Sequence, residues 1–269
     1  LPFRFKVPIN YLTLGIKKNM RFIVLLAFLF STTAMTTDIK TITPVFNKNM
    51  VTEPISSIDN SDAIVEQRIR NAAVRVIAPG GKYGSGSLIK YKGLTLVLTA
   101  QHVIENVPGL IHHIVKDGEL QRAVPIYSDK THDIGLLYMI DEMKSATPMK
   151  YSPRKNIVGI GEEITYSGHP SHHSLMTFRG RVAGYEILAD AGLQILLHTH
   201  GWYGCSGAVV YDLNGDIVGI IWGIDIERKF VKQVVGNIMW VVPIQALNID
   251  YALGAFCSTK NHSKYRACR

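Results

Sequence analysis

From Ala72 onward the chain is cut into short β-branched and aliphatic runs, each closed by Gly, Asn, Asp or Pro. Val74–Ile77, Ser87–Tyr91, Leu94–Thr99, Ile134–Ile140, Glu163–Ser167, Gly180–Ile187, Leu193–Thr199, Ile217–Trp222 and Asn237–Val242 have the length and composition of strands. Pro79-Gly80-Gly81, Lys92-Gly93 and Asn214-Gly215 punctuate them as turns. Strands this short and frequent, with few helical periods, expect an all-β antiparallel barrel or sandwich. Brief helices are expected only at 102–106 and 244–250.

Three local patterns carry chemistry. Leu96-Val97-Leu98-Thr99-Ala100-Gln101-His102 is a strand that runs into a histidine. His132-Asp133-Ile134-Gly135-Leu136-Leu137 is an aspartate opening an apolar strand. Gly204-Cys205-Ser206-Gly207-Ala208-Val209-Val210 is a glycine-flanked turn leading into another. A serine hydroxyl becomes a useful nucleophile when an imidazole accepts its proton. That imidazole needs a carboxylate on its other nitrogen to set the tautomer and stabilise the cation. His102, Asp133 and Ser206 are those three groups. The glycines let the backbone turn so that the N–H groups of Gly204 and Ser206 face a developing oxyanion, where one lost donor costs about 10²–10³ in rate.

Taken singly, each residue has an ordinary reading: a packed histidine, a strand-start aspartate, a turn serine. Their order along the chain decides against it. Here the chain resembles the trypsin-like (chymotrypsin-fold) serine proteases, and among them the compact bacterial exported members. Thr99-Ala100-x-His102 is similar to that family's Thr-Ala-Ala-His, and Asp133-Ile134-Gly135-Leu136-Leu137 to its Asp-Ile-Ala-Leu-Leu. Gly204-x-Ser206-Gly207, followed by Asp212-Leu213-Asn214-Gly215-Asp216-Ile217, resembles its nucleophile loop and the next hairpin. Gly168-His169-Pro170 resembles its Gly-Tyr-Pro stretch. The resemblance spans about 70–250 and implies two antiparallel six-stranded β-barrels packed around a central cleft. The first would cover about 70–150 and bring His102 and Asp133; the second, about 155–250, would bring Ser206.

By the same resemblance Ile221, Trp222 and Gly223 wall a substrate-binding pocket, and His200 falls near its base. No aspartate stands at that base, so a Lys/Arg preference is not expected. Gln101, Ala208 and Cys205 depart from the family pattern. Cys205 replaces the Asp or Asn usual before the nucleophile, which removes the zymogen-type pairing with a new N-terminus. As a rival nucleophile Cys205 is one residue out of register. No cofactor is implied, and the partner is a protein or peptide substrate. The alternative from another class is a catalytically silent protease-fold binding protein.

The net charge of +8 invites a nucleic-acid reading, but its location argues against one. Residues 1–34 hold five basic groups and residues 256–269 four, with no acid in either; without them 35–255 is at about −1. A near-neutral body has no basic face to track a phosphate backbone. Lys17-Lys18-Asn19-Met20-Arg21, the apolar run Phe22–Phe30 and the small residues Ser31-Thr32-Thr33-Ala34 follow the order of a secretory signal peptide. A run of nine apolar residues falls well short of the ~20 that span a bilayer. Residues 1–34 are therefore expected to direct secretion or periplasmic export, with an uncleaved membrane anchor as the alternative. A first residue of Leu points to a reading frame extended upstream, with Met20 the start and 1–19 not translated.

The Thr-rich, aperiodic 35–65 reads as a linker or pro-segment, 66–255 as the protease domain and 256–269 as a basic C-terminal tail. No stretch after 250 has the length of a peptide-binding PDZ module, so a lone protease domain is expected. Two readings stay open for Cys257 and Cys268: a small disulfide loop in an oxidising compartment, or two free thiols. His169, His172 and His173 cluster, as do His198 and His200, but neither group brings Cys or Glu at ligand spacing, so no metal site is expected.

Overall fold

Short strands cannot bury an apolar face alone, and here the chain closes them into two barrels. A computed structural model describes residues 60–269 apart from 105–109, 229–231 and 260–261. The signal-peptide reading and most of the linker reading lie outside the described residues. The first barrel holds β1 (Ala73–Ile77), β2 (Tyr83–Tyr91), β3 (Leu94–Ala100), β4 (His112–Lys116), β5 (Glu119–Asp129) and β6 (Ile134–Met139). Their order is β1-β4-β5-β6-β3-β2, closed by antiparallel pairing of β2 with β1. The two-residue β7 (Met149–Lys150) lies parallel against β2. The second barrel holds β8 (Glu163–Gly168), β9 (Met176–Leu188), β10 (Gly192–His198), β11 (Val209–Asp212), β12 (Ile217–Arg228) and β13 (Lys232–Pro243). It closes in the order β10-β13-β12-β11-β8-β9. The two-barrel chymotrypsin-like architecture implied by the sequence is the one observed.

Each barrel has its own core. Leu88, Leu96, Leu98, Ile114, Ile134 and Leu136 fill the first, and Ile164, Tyr166, Ile195, Leu197, Val210 and Val241 the second. Strand β11 serves both, because successive side chains point to opposite faces. Val209 and Tyr211 enter the first core while Val210 enters the second. The Tyr211 hydroxyl meets Ser87 Oγ from β2 at 2.8 Å, a buried hydrogen bond between the barrels.

Three elements differ from expectation. Helix α1 (Asn60–Ala72) precedes the first barrel, burying Ile69 and Ala72. Arg179 of β9 pairs with Asp62 at 3.3 Å and with Glu66, while Lys116 closes the helix end by donating to the Arg70 and Ala73 carbonyls. Strands β4 and β5 form a hairpin about Asp117-Gly118 that sequence reading passed over, because both strands are half polar and Pro125 sits beside a bulge. The expected helix at 244–250 divides into a single 3₁₀ turn, Ile244–Ala246, and α3 (Ile249–Cys257). Asn248 makes that division: its side chain caps α3 by accepting from the Tyr251 N–H at 2.9 Å. Beyond α3, Cys257 and Cys268 form a disulfide, and Tyr265 and Ala267 pack onto the first core. Of the two readings left open for these cysteines, the bridged one is observed.

Candidate active site

The pairing of β3 with β6 sets Ala100 opposite Ile134, so the residues just past those partners meet. After Ala100 the chain enters the short helix α2 (Gln101–Ile104), which carries His102. Asp133 precedes β6 with φ 55°, in the left-handed region that aspartate tolerates better than most residues. Three hydrogen bonds hold it there. Its carbonyl accepts from the Gln101 N–H at 3.0 Å, Oδ1 accepts from the His102 N–H at 2.8 Å, and Oδ2 lies 2.6 Å from His102 Nδ1. Asp129 shapes the approach by accepting from the Thr131 and His132 N–H groups and bonding His132 Nδ1 at 2.7 Å.

Ser206 arrives from the second barrel on a loop pinned to the first. Its carbonyl accepts from the Ser85 N–H at 2.8 Å. Gly207, at φ 86°, lies so close to the Ser85 carbonyl and Thr99 Oγ1 that any side chain there would overlap them. Gly204, at φ 96°, faces the His169 carbonyl in the same way. These two positions require glycine. The N–H groups of Cys205, Gly207 and Ala208 donate to the Trp202, Ile221 and Cys205 carbonyls at 2.7–3.0 Å. Those of Gly204 and Ser206 donate to no backbone oxygen among the described residues.

His102 and Ser206 line one cavity of about 290 Å³, together with Trp202, Tyr203, Ile221, Trp222, Gly223, Ile224, Ile226 and Met239. The Ser206 hydroxyl contacts the Trp222 carbonyl at 3.5 Å, the outer limit of a hydrogen bond. So long a bond is weak. Trp222 is itself anchored by its indole N–H on Gln194 Oε1 at 2.8 Å, beside a bulge between Ile221 and Gly223.

One expected lining residue stands elsewhere. His200 lines a neighbouring cavity of about 330 Å³ with Pro170, Phe178 and Trp202. Its carbonyl accepts from the Tyr166 hydroxyl and its ring lies 5.9 Å from Phe178. Among the residues that line the Ser206 cavity is the buried Met239 of β13, whose side chain lies against Gly201. Sequence reading also missed Trp202, Tyr203, Ile224 and Ile226 as lining. Cys205 is wholly buried in the second core, and burial pushes its thiol pKa up, which leaves it a poor nucleophile. His169 is buried as well, and burial, then the charges of Arg75, Lys116 and Arg70, lowers its pKa to about 4. His198, His173 and His200 are exposed, and among the described residues no group of three or more His, Cys, Asp or Glu could hold a metal ion.

Known proteins agree with this architecture. Residues 84–220, half of the chain, match the trypsin-like peptidase domain family. The chain belongs to that family and is by it a serine-type endopeptidase. Its fold is similar to that of the Rv3671c protease from M. tuberculosis in its active form, with TM-score 0.56 and 16% identity over 73% of this chain and 85% of that one. It is similar also to the serine endoprotease from Yersinia pestis, with TM-score 0.57 and 19% identity over 75% of this chain and 68% of that one. No curated protein matches by sequence.

Proposed function

We propose that the protein hydrolyses peptide bonds through an acyl-enzyme on Ser206, with His102 and Asp133 completing the triad. The observation that carries this is the 2.6 Å bond between His102 Nδ1 and Asp133 Oδ2, on an imidazole that shares its cavity with Ser206. Asp133 keeps the proton on Nδ1, so Nε2 is the free base. His102 takes the Ser206 proton as Oγ attacks the scissile carbonyl carbon. The resulting oxyanion is received by the Gly204 and Ser206 N–H groups. When the intermediate collapses, the C–N bond breaks and His102 returns the proton to the departing amine. Water then gives a proton to His102 and attacks the acyl carbon, releasing the acid and restoring Ser206.

The substrate is a protein or peptide. The residue before the scissile bond is apolar, because the cavity beside Ser206 is walled by Ile221, Trp222, Ile224 and Met239 and, among the described residues, no charged side chain lines it. Residues 1–34 act as a signal for secretion or periplasmic export, with an uncleaved membrane anchor as the alternative, and the polar stretch after them as a linker or pro-segment. The Cys257–Cys268 disulfide supports an oxidising destination.

Digestion of a mixed-sequence peptide library by the purified protein and by Ser206→Ala tests the reading. Cleavage after apolar residues, absent in the variant, is expected. Equal cleavage by both proteins sinks the role of Ser206, and no cleavage by the folded wild type favours the silent binding protein.

A further inference from the structure

Ser85, the third residue of β2, has no exposure to solvent, where an apolar side chain would serve the strand better. Its hydroxyl instead works for the other barrel. Oγ donates to the Gly204 carbonyl at 2.7 Å and accepts from the His169 N–H at 2.9 Å. Its own carbonyl accepts from Thr99 Oγ1 at 2.7 Å, and its N–H donates to the Ser206 carbonyl at 2.8 Å. One first-barrel residue thus grips the main chain on both sides of Cys205.

The consequence follows from the rigidity of peptide groups, whose N–H and C=O point in opposite directions. The Tyr203 carbonyl accepts from the Ser171 N–H at 2.7 Å, which turns the Gly204 N–H the other way. The Cys205 carbonyl accepts from the Ala208 N–H at 2.9 Å, which does the same for the Ser206 N–H. Between these two lies the Gly204–Cys205 peptide. Its N–H donates to the Trp202 carbonyl at 3.0 Å, and its carbonyl is held by the Ser85 hydroxyl. Gly204 has no conformational preference of its own to keep it at φ 96°. The Ser85 hydroxyl supplies part of that constraint, beside the Trp202 carbonyl on the same peptide and the Ser171 N–H on the one before it.

We propose that Ser85 is a positioning residue for the oxyanion-binding N–H groups, fixing the Gly204 carbonyl so that the adjoining Gly204 N–H stays aimed at the reacting carbonyl. This rests on Ser206 being the nucleophile and goes beyond it. A hole that is present but misaimed loses transition-state stabilisation while ground-state binding in the cavity is kept.

The test uses the full protein with Ser85→Ala and Ser85→Cys, the latter retaining a weak S–H donor. Turnover is measured per site titrated with a fluorophosphonate, so that loss of folded protein does not enter. For Ser85→Ala, kcat is expected to fall about 10- to 100-fold, somewhat less than deletion of a donor, with KM within about twofold. Affinity for a peptide aldehyde, whose hemiacetal carries the same oxyanion, should fall by the same factor as kcat. Ser85→Cys should recover part of both. Unchanged kcat per titrated site, or kcat and KM moving together without loss of aldehyde affinity, overturns the proposal for Ser85 alone. An inactive wild type, or activity that persists in Ser206→Ala, overturns the nucleophile reading and this proposal with it.

Discussion

Asp133 holds His102 at two points, Oδ2 on ring Nδ1 at 2.6 Å and Oδ1 on the backbone N–H at 2.8 Å. The carboxylate therefore orients the imidazole and anchors the start of α2 together. Asn tolerates the left-handed backbone of this position as Asp does, so Asp133→Asn should fold. Its neutral amide cannot satisfy both donors and leaves the ring in the wrong tautomer. A fall in kcat of about 10⁴ is expected from peptide hydrolysis assays, with the melting temperature little changed.

Met239 lines the cavity beside Ser206 and lies against Gly201. Met239→Ala should enlarge that cavity. In a series of peptides differing only before the scissile bond, kcat/KM for Phe relative to Val should rise, by about tenfold for the 1–2 kcal/mol that a few methylenes carry in a pocket. The same change removes a buried side chain and should lower stability by about 2–4 kcal/mol in urea unfolding.

The buried, neutral His169 makes stability depend on pH. Its folded pKa of about 4 lies below the unfolded value near 6.5, so between them the unfolded chain binds the extra proton. Stability contributed by the neutral ring is therefore present above about pH 6.5 and lost as pH falls toward 4, on the order of 3 kcal/mol in all. His169→Asn should flatten the unfolding free energy across that window, measured by denaturant titration at several pH values. A slope identical to wild type would remove His169 from the acid sensitivity.

The Cys257–Cys268 link ties the end of α3 to the chain terminus over 11 residues. Closing so short a loop in the unfolded chain is worth about 3 kcal/mol in the chain-entropy picture. Reduction, or Cys257→Ser with Cys268→Ser, should lower the thermal midpoint by several degrees. The triad is on other elements, so activity at moderate temperature should persist.

The parts of the fold and site that were legible in the sequence are those written in local patterns. His102, Asp133 and Ser206 each sit at a strand end marked by turn residues, and their order identified the family. Ser85 was not legible, because its partner Gly204 is 119 residues away. The signal was present nonetheless: Gly84 and Gly86 flank it within a strand, where glycine marks close approach of another backbone, here the Ser206 carbonyl against Gly84. Helix α1 escaped because its buried stripe is thin, with Ile69 and Ala72 the fully buried apolar residues among its described side chains. Met239 was not legible as lining because neighbours in sequence of the nucleophile are visible in a motif, whereas Met239 arrives by strand pairing of β13 with β12.

The most direct test of the central claim is mass-spectrometric mapping of the fluorophosphonate adduct on the folded protein. A single adduct on Ser206, lost in Ser206→Ala, slowed in His102→Ala and kept in Cys205→Ala, is the predicted result. An adduct elsewhere, or none on folded wild-type protein, would contradict an activated serine at this site.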